Sequence, residues 1–163
     1  MKRRDLIKMS DAEVHELLSG RHTMNVASIS PDGSVHLVAM WYGFVDAGGD
    51  GADGYVSRKP AFWTYGRSQK ILNLRRNPQI TCLVETGDKY EELQGVELVG
   101  RAQVVDDRPG VHAIGRSVFE RYFGPWSDEV QPYIEQTGAK RVGVIIDVDK
   151  TVSWDHRKLE GTY

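Results

Sequence analysis

The 163-residue chain holds a single cysteine, Cys82. A lone thiol excludes an intrachain disulfide and any metal site built from several cysteines. Its place inside the apolar run 80–84 predicts a buried core thiol rather than a nucleophile. Long apolar runs are also lacking. None approaches the roughly 20 residues that span a bilayer, and the basic start Met-Lys-Arg-Arg is followed by no apolar segment of signal-peptide type. A cytoplasmic protein without a membrane span is the expectation. Neither sign of charge dominates, with 21 Lys and Arg against 23 Asp and Glu, so nothing points globally to nucleic acid. No glycine-rich dinucleotide turn, P-loop, nucleophile elbow or His-Glu-x-x-His occurs. No pair of histidines or carboxylates has a spacing that sets metal ligands on one face. His15 and His22 therefore read as surface residues.

What is present reads as one domain over residues 1–163, with a helix in residues 1–20 and a tail at 151–163. Ser10-Asp-Ala-Glu13 is a capping box, Val14, Leu17 and Leu18 supply the apolar stripe behind it, and Gly20 stops the helix. Residues 24–29 and 35–45 read as strands around a Pro-Asp-Gly turn. The second is apolar on both faces, with His36, Val38, Met40 and Tyr42 on one and Leu37, Ala39 and Trp41 on the other. Such a strand is either buried on both sides or covers a flat ligand on one. Residues 46–54 read as an exposed hairpin tip without the calcium-loop pattern, and 58–60 as irregular connection. Further strands are expected at 79–85, 95–105 and 141–148. A helix opens at 106–109, with Val111, Ile114, Val118 and Tyr122 on one side. Another is capped by Ser127 and ended by Gly138. About six strands, mostly hairpin-linked, predict a mainly β fold: a six-stranded antiparallel barrel with peripheral helices and a filled interior.

One stretch, residues 63–78, organises the rest. Strand residues pass through Gly66 into a short helix over 69–76, with Ser68 as N-cap, Ile71, Leu72 and Leu74 as its apolar face, and Asn77-Pro78 as its end. Arg67 and Lys70 sit at the helix N-terminus, where a cation is disfavoured by roughly 0.3–1 kcal/mol. Two readings stand: ordinary solvated charges, or an anchor where free N–H groups, the Ser68 hydroxyl and the Lys70 ammonium converge on a phosphate. A phosphate anchor beside aromatic strands suits a flat phosphorylated cofactor that carries the chemistry itself.

The string Thr-Tyr-Gly-Arg-Ser-Gln-Lys-Ile-Leu-Asn-Leu-Arg-Arg-Asn-Pro, with the preceding hairpin and the later Ser-Trp-Asp-His-Arg-Lys-Leu, resembles the flavin/deazaflavin oxidoreductases. These are FMN-binding-type split β-barrels of the pyridoxamine-phosphate-oxidase superfamily, and the likeness is nearest to the actinobacterial branch that uses coenzyme F420. The resemblance implies that Ser68 and Lys70 bind the cofactor phosphate, with Thr64 facing it and Arg67 beside it. It implies that Val38, Ala39, Met40 and Trp41 lie along the tricyclic ring. It also implies a homodimer in which Trp154 and His156 approach the neighbouring subunit's site. The expected activity is hydride transfer between F420 and a small unsaturated or conjugated substrate. FMN chemistry and a non-catalytic F420 carrier are the alternatives. No catalytic residue is assigned; His36, Tyr42, Tyr65 and His156 are candidates for a proton donor. For Trp154, docking at the dimer seam and covering its own barrel end both remain open.

Overall fold

The computed structural model describes residues 3–46 and 58–159. Its elements run α1 (Arg3–Leu6), α2 (Asp11–Ser19), β1 (Met24–Ile29), β2 (Val35–Met40), β3 (Gly43–Asp46), β4 (Arg58–Tyr65), α3 (Gln69–Arg76), β5 (Gln79–Thr86), β6 (Gln94–Val105), α4 (Arg108–Tyr122), α5 (Gln131–Gly138) and β7 (Arg141–Asp155). Single 3-10 turns cover Tyr90–Glu92, Asp128–Val130 and His156–Leu159. No described helix is long and apolar enough to cross a membrane.

Seven strands form one antiparallel sheet in the order β2-β1-β5-β6-β7-β4-β3. Its two edge strands, β2 and β3, are consecutive in the chain and separated only by Trp41 and Tyr42. Three peptide units reach at most about 11 Å, so the edges must lie close together. The sheet therefore curls into a barrel split at Trp41–Tyr42. The expected single strand over residues 35–45 is thus two strands on opposite edges, and this raises the count from six to seven. Residues 58–60, expected as irregular connection, belong to β4 and pair with β3. The expected hairpin tip at 46–54 lies outside the described residues from position 47 onward.

The last strand is also longer than expected. Val99 faces Lys150 while Gly100 faces Val148, which leaves Asp149 as a bulge. One extra residue reverses the side-chain phase. Before the bulge Val142, Val144 and Ile146 are buried, and after it Ser153 and Asp155 are. Polar residues on the inward face disguised residues 151–155 as a tail. Both are satisfied: Ser153 Oγ accepts the Met9 N–H at 3.2 Å, and Asp155 is held by Arg157.

Two apolar clusters follow from this geometry. The barrel interior is filled by Met24, Val26, Phe62, Ile71, Val84, Val144 and their neighbours, including Cys82, whose thiol burial pushes up to about 12. Leu17 and Leu18 of α2 close one end, and Ser10 and Glu13 form the capping box as expected. The second cluster lies outside the sheet, where α4 and α5 cover Ala61 and Trp63 of β4. Because β4 is covered on both faces, it is buried almost continuously. Trp63 enters between the helices at Gly115 and Gly138; a Cβ at Gly115 would stand 2.4 Å from its ring.

Candidate functional site

Gly66, Arg67 and Ser68 join β4 to α3, and this joint builds a corner. Gly66 is tied back by its N–H to the Lys140 carbonyl at 3.1 Å, and Ser68 N–H closes a turn on the Tyr65 carbonyl at 3.0 Å. α3 then begins where expected. Its buried face, however, is Lys70, Ile71, Asn73 and Leu74, while Leu72 is exposed. Two polar residues thus sit where an apolar stripe was expected. Asn73 is explained by its hydrogen bonds, since its Nδ2 donates to Ser28 Oγ at 3.1 Å and its Oδ1 accepts from Gln69 at 2.9 Å.

Lys70 is less fully satisfied. It is 8% exposed, and its ammonium donates to Thr64 Oγ1 at 3.0 Å. No acid pairs with it among the described residues. Burial, and then the positive charge of Arg141, hold its pKa below the usual lysine value. Ser68 has the extended backbone of an N-cap, φ −70° and ψ 151°, yet its hydroxyl caps nothing. That oxygen is buried and has no hydrogen-bond partner. The first N–H groups of any helix also lack intrahelical acceptors. A hydroxyl, an ammonium and a helix start therefore meet at one corner with donors to spare. An anion satisfies all three, so the residues fit a cofactor phosphate.

Arg141 was not singled out in the sequence reading, because its role depends on strand pairing. It lies opposite Tyr65 across the β4–β7 ladder. Its guanidinium carbon is 4.9 Å from the ring centres of both Trp63 and Tyr65. Its Nε is buried and unpartnered. Arg141 borders two spaces. One is a groove of about 530 Å³ lined by Arg67, Arg108, Lys140 and Arg141, with no acid among the described residues that line it. The other is a chamber of about 350 Å³ between the sheet and α4–α5, lined among others by Trp41, Trp63, Phe119, Phe123 and Tyr133.

The anticipated residues thus fall into three places. Thr64 and Lys70 are hydrogen-bonded at the corner, Ser68 stands beside them at the start of α3 with its hydroxyl unpartnered, and Arg67 is exposed along the basic groove. Ala39, Met40 and Trp41 border the aromatic chamber, while Val38 packs half-buried against the barrel core. Trp154 and His156 stand apart. They lie at the far end of β7, Trp154 within it and His156 just after, and its 15 residues span on the order of 45 Å if fully extended. Trp154 lies over Gly95 beside a shallow outer groove with Leu37 and Leu83, and His156 Nδ1 is 2.9 Å from the Tyr90 carbonyl. Of the proton-donor candidates, Tyr42 is a structural residue. It is fully buried, donates to the Leu18 carbonyl at 2.6 Å, and burial pushes its pKa up to about 12. No group of three potential metal ligands occurs among the described residues.

Comparison with known proteins agrees with this architecture. The structure of a conserved hypothetical protein, Rv2991 from Mycobacterium tuberculosis, superposes with a TM-score of 0.86 at 42% identity, over 98% of this chain and 93% of that one. An F420 reductase superposes with a TM-score of 0.59 at 22% identity, over 84% and 94%. The heme storage protein HutZ from Vibrio cholerae does so with 0.63 at 13%, over 88% and 94%. At such identities the last two establish the fold alone. No curated protein matches the sequence. The family model of pyridoxamine 5'-phosphate oxidase matches residues 10–155, nearly the whole chain and every element from α2 to β7. The chain therefore belongs to the pyridoxamine 5'-phosphate oxidase family of split β-barrels.

Proposed function

We propose that the protein is an oxidoreductase that binds coenzyme F420 and acts on a small conjugated substrate. The observation that carries this reading is the corner of Ser68, Thr64 and Lys70, where a buried hydroxyl without a partner and a buried ammonium with no acid among the described residues adjoin a helix N-terminus. Ser68 and Lys70 hold the phosphate, Thr64 orients the ammonium, and Ala39, Met40 and Trp41 border the ring. When bound, the cofactor supplies the hydride. The chain's own residues position donor and acceptor and exclude water between them.

The basic groove favours F420 over FMN. FMN ends at its phosphate, whereas F420 continues into carboxylates, and Arg67, Arg108 and Lys140 continue the positive lining beyond the corner. The F420 reductase with the same fold supports this choice, although at 22% identity it shares only the architecture. Side-by-side titration of the purified protein with F420 and FMN tests it. Tighter binding of F420, lost in Ser68→Ala and Lys70→Met, is expected. Variants that bind F420 as tightly as the unmodified chain would overturn the assignment.

The reading includes a homodimer. The outer face of β2 leaves Val35 62% and Leu37 64% exposed, continuous with the groove beside Trp154, and an apolar face of this kind marks an interaction surface. Trp154 docks at the seam, and His156 reaches the second copy's site. Sedimentation of Leu37→Glu checks this, with a monomer expected where the unmodified chain is a dimer.

A further inference from the structure

The aromatic chamber has features that phosphate binding does not use. Trp41 stacks on Tyr122 with centroids 4.6 Å apart and planes 7° from parallel, and its edge meets Phe123 at 5.4 Å. Phe119 stacks on Phe123 at 5.3 Å and meets Tyr133 at 6.0 Å. The walls are therefore flat, apolar and held by one another rather than by a ligand. About 350 Å³ lies within the size range of small-molecule sites. Trp41, Phe123 and Tyr133 remain about half exposed at this rim, and none of the described residues covers them further.

Among the described lining residues only one is charged, Arg141, and none is acidic. Both neighbouring rings, Trp63 and Tyr65, lie against its guanidinium, which leaves the N–H edge for recognition. That edge includes the buried Nε with no partner. The Nε–Nη edge of arginine is a two-donor fork that matches a carboxylate.

We infer that this chamber is the substrate site and that it takes a planar conjugated carboxylate, its ring system between Trp41, Trp63 and Phe123 and its carboxylate on Arg141. This deepens the proposed reading and rests on it for the reaction, but binding can be measured without any cofactor. The arrangement divides the two positive groups at the corner. Lys70 serves the cofactor phosphate and Arg141 the substrate acid.

The test is calorimetric titration of the cofactor-free and F420-loaded protein with 2-naphthoate, 2-naphthylmethanol and cyclohexanecarboxylate. Naphthoate should bind both forms at least about tenfold more tightly than the alcohol, the range for one charge-assisted hydrogen bond, and more tightly than the non-aromatic acid, which lacks the flat ring. Arg141→Gln should erase the preference for acid over alcohol while retaining the alcohol's affinity, a result that misfolding would not give. Phe123→Ala, an exposed position that leaves the core intact, should weaken all aromatic ligands together. Saturating inorganic phosphate should leave naphthoate binding unchanged. Equal affinity for acid and alcohol, an intact preference in Arg141→Gln, or displacement of naphthoate by phosphate or F420 each overturns the proposal. Absence of naphthoate binding up to about 5 mM does the same. Naphthoate binding by a protein that takes up neither F420 nor FMN would leave the chamber assigned and refute the cofactor reading instead. Cofactor binding without naphthoate binding would refute the chamber alone.

Discussion

Replacing Lys70 by methionine should make the unliganded protein more stable and its cofactor binding weaker. Methionine keeps an unbranched stem in the space that the lysine stem occupies. The change removes a charge that is 8% exposed, faces no acid among the described residues and is repelled by Arg141. Against that stands one lost hydrogen bond, Nζ to Thr64 Oγ1 at 3.0 Å, worth about 1 kcal/mol. Relief of a buried, uncompensated charge is worth several kcal/mol when burial is complete, and less here because the ammonium keeps some solvent. A net gain on the order of 1 kcal/mol remains, which for a chain of this length raises Tm by roughly 2–4 °C. Loss of a charge-assisted contact costs phosphate-bearing ligands about 1.5–3 kcal/mol, or roughly 10–150-fold in Kd. The sign with pH can be worked out. The folded pKa lies below the ordinary 10.5, so between those two values the unfolded chain binds the proton more tightly and stability rises with pH. The advantage of the variant should accordingly shrink as pH rises through that window. Thermal melts from pH 7 to 10.5, paired with calorimetric titration, read both quantities. A variant that is less stable at neutral pH and binds the cofactor as well as the unmodified chain would refute the reasoning.

Two further outcomes follow from other parts of the structure. Gly115→Ala places a Cβ 2.4 Å from the Trp63 ring, so urea unfolding should reveal a loss of about 1–3 kcal/mol from overpacking, with weakened binding in the aromatic chamber. The Glu13 carboxyl, held at about 2 mainly by the hydrogen bond from Lys158 and then by the Ser10 N–H, stabilises the fold above its unfolded pKa near 4.5. That contribution is lost as pH falls from about 4.5 towards 2. Glu13→Gln should flatten the stability profile in this window and leave neutral-pH binding unchanged.

How far the sequence foretold this molecule depended on whether a signal was local. The capping box at Ser10, the Pro-Asp-Gly hairpin, the α3 boundaries and the apolar stripe of α4 are written in adjacent residues, and all were read correctly. Errors arose where distant strands decide. Nothing local marks Trp41–Tyr42 as the crossing from one sheet edge to the other, because both flanking segments favour strand. The Asp149 bulge inverted the alternation of residues 151–155, so buried Ser153 and Asp155 read as a polar tail. Sequence alone puts Leu72 on the apolar face and leaves Lys70 open between a solvated charge and a phosphate anchor. Leu72 is exposed and Lys70 buried, and only the contacts of Thr64 and Asn73 reveal it. Arg141 was invisible for the same reason. An arginine at a strand start is unremarkable until the ladder sets it beside Tyr65 and Trp63. Of the proposed site, the local half around Ser68 was legible and the chamber built from β2, β4, α4 and α5 was not.

The central claim is that the corner of Ser68 and Lys70 binds this chain's redox cofactor through its phosphate. It is tested most directly by comparing F420 with its deazaflavin core lacking the phosphate and acidic tail, in equilibrium titrations followed by deazaflavin fluorescence. Both share the ring, so their affinity ratio reports the corner and groove alone. The account predicts that intact F420 binds at least about 100-fold more tightly, from two or more charge-assisted contacts, and that Lys70→Met lowers that preference by roughly tenfold, the share of one contact. Equal affinity for the two compounds, or no binding of F420 at all, would contradict it.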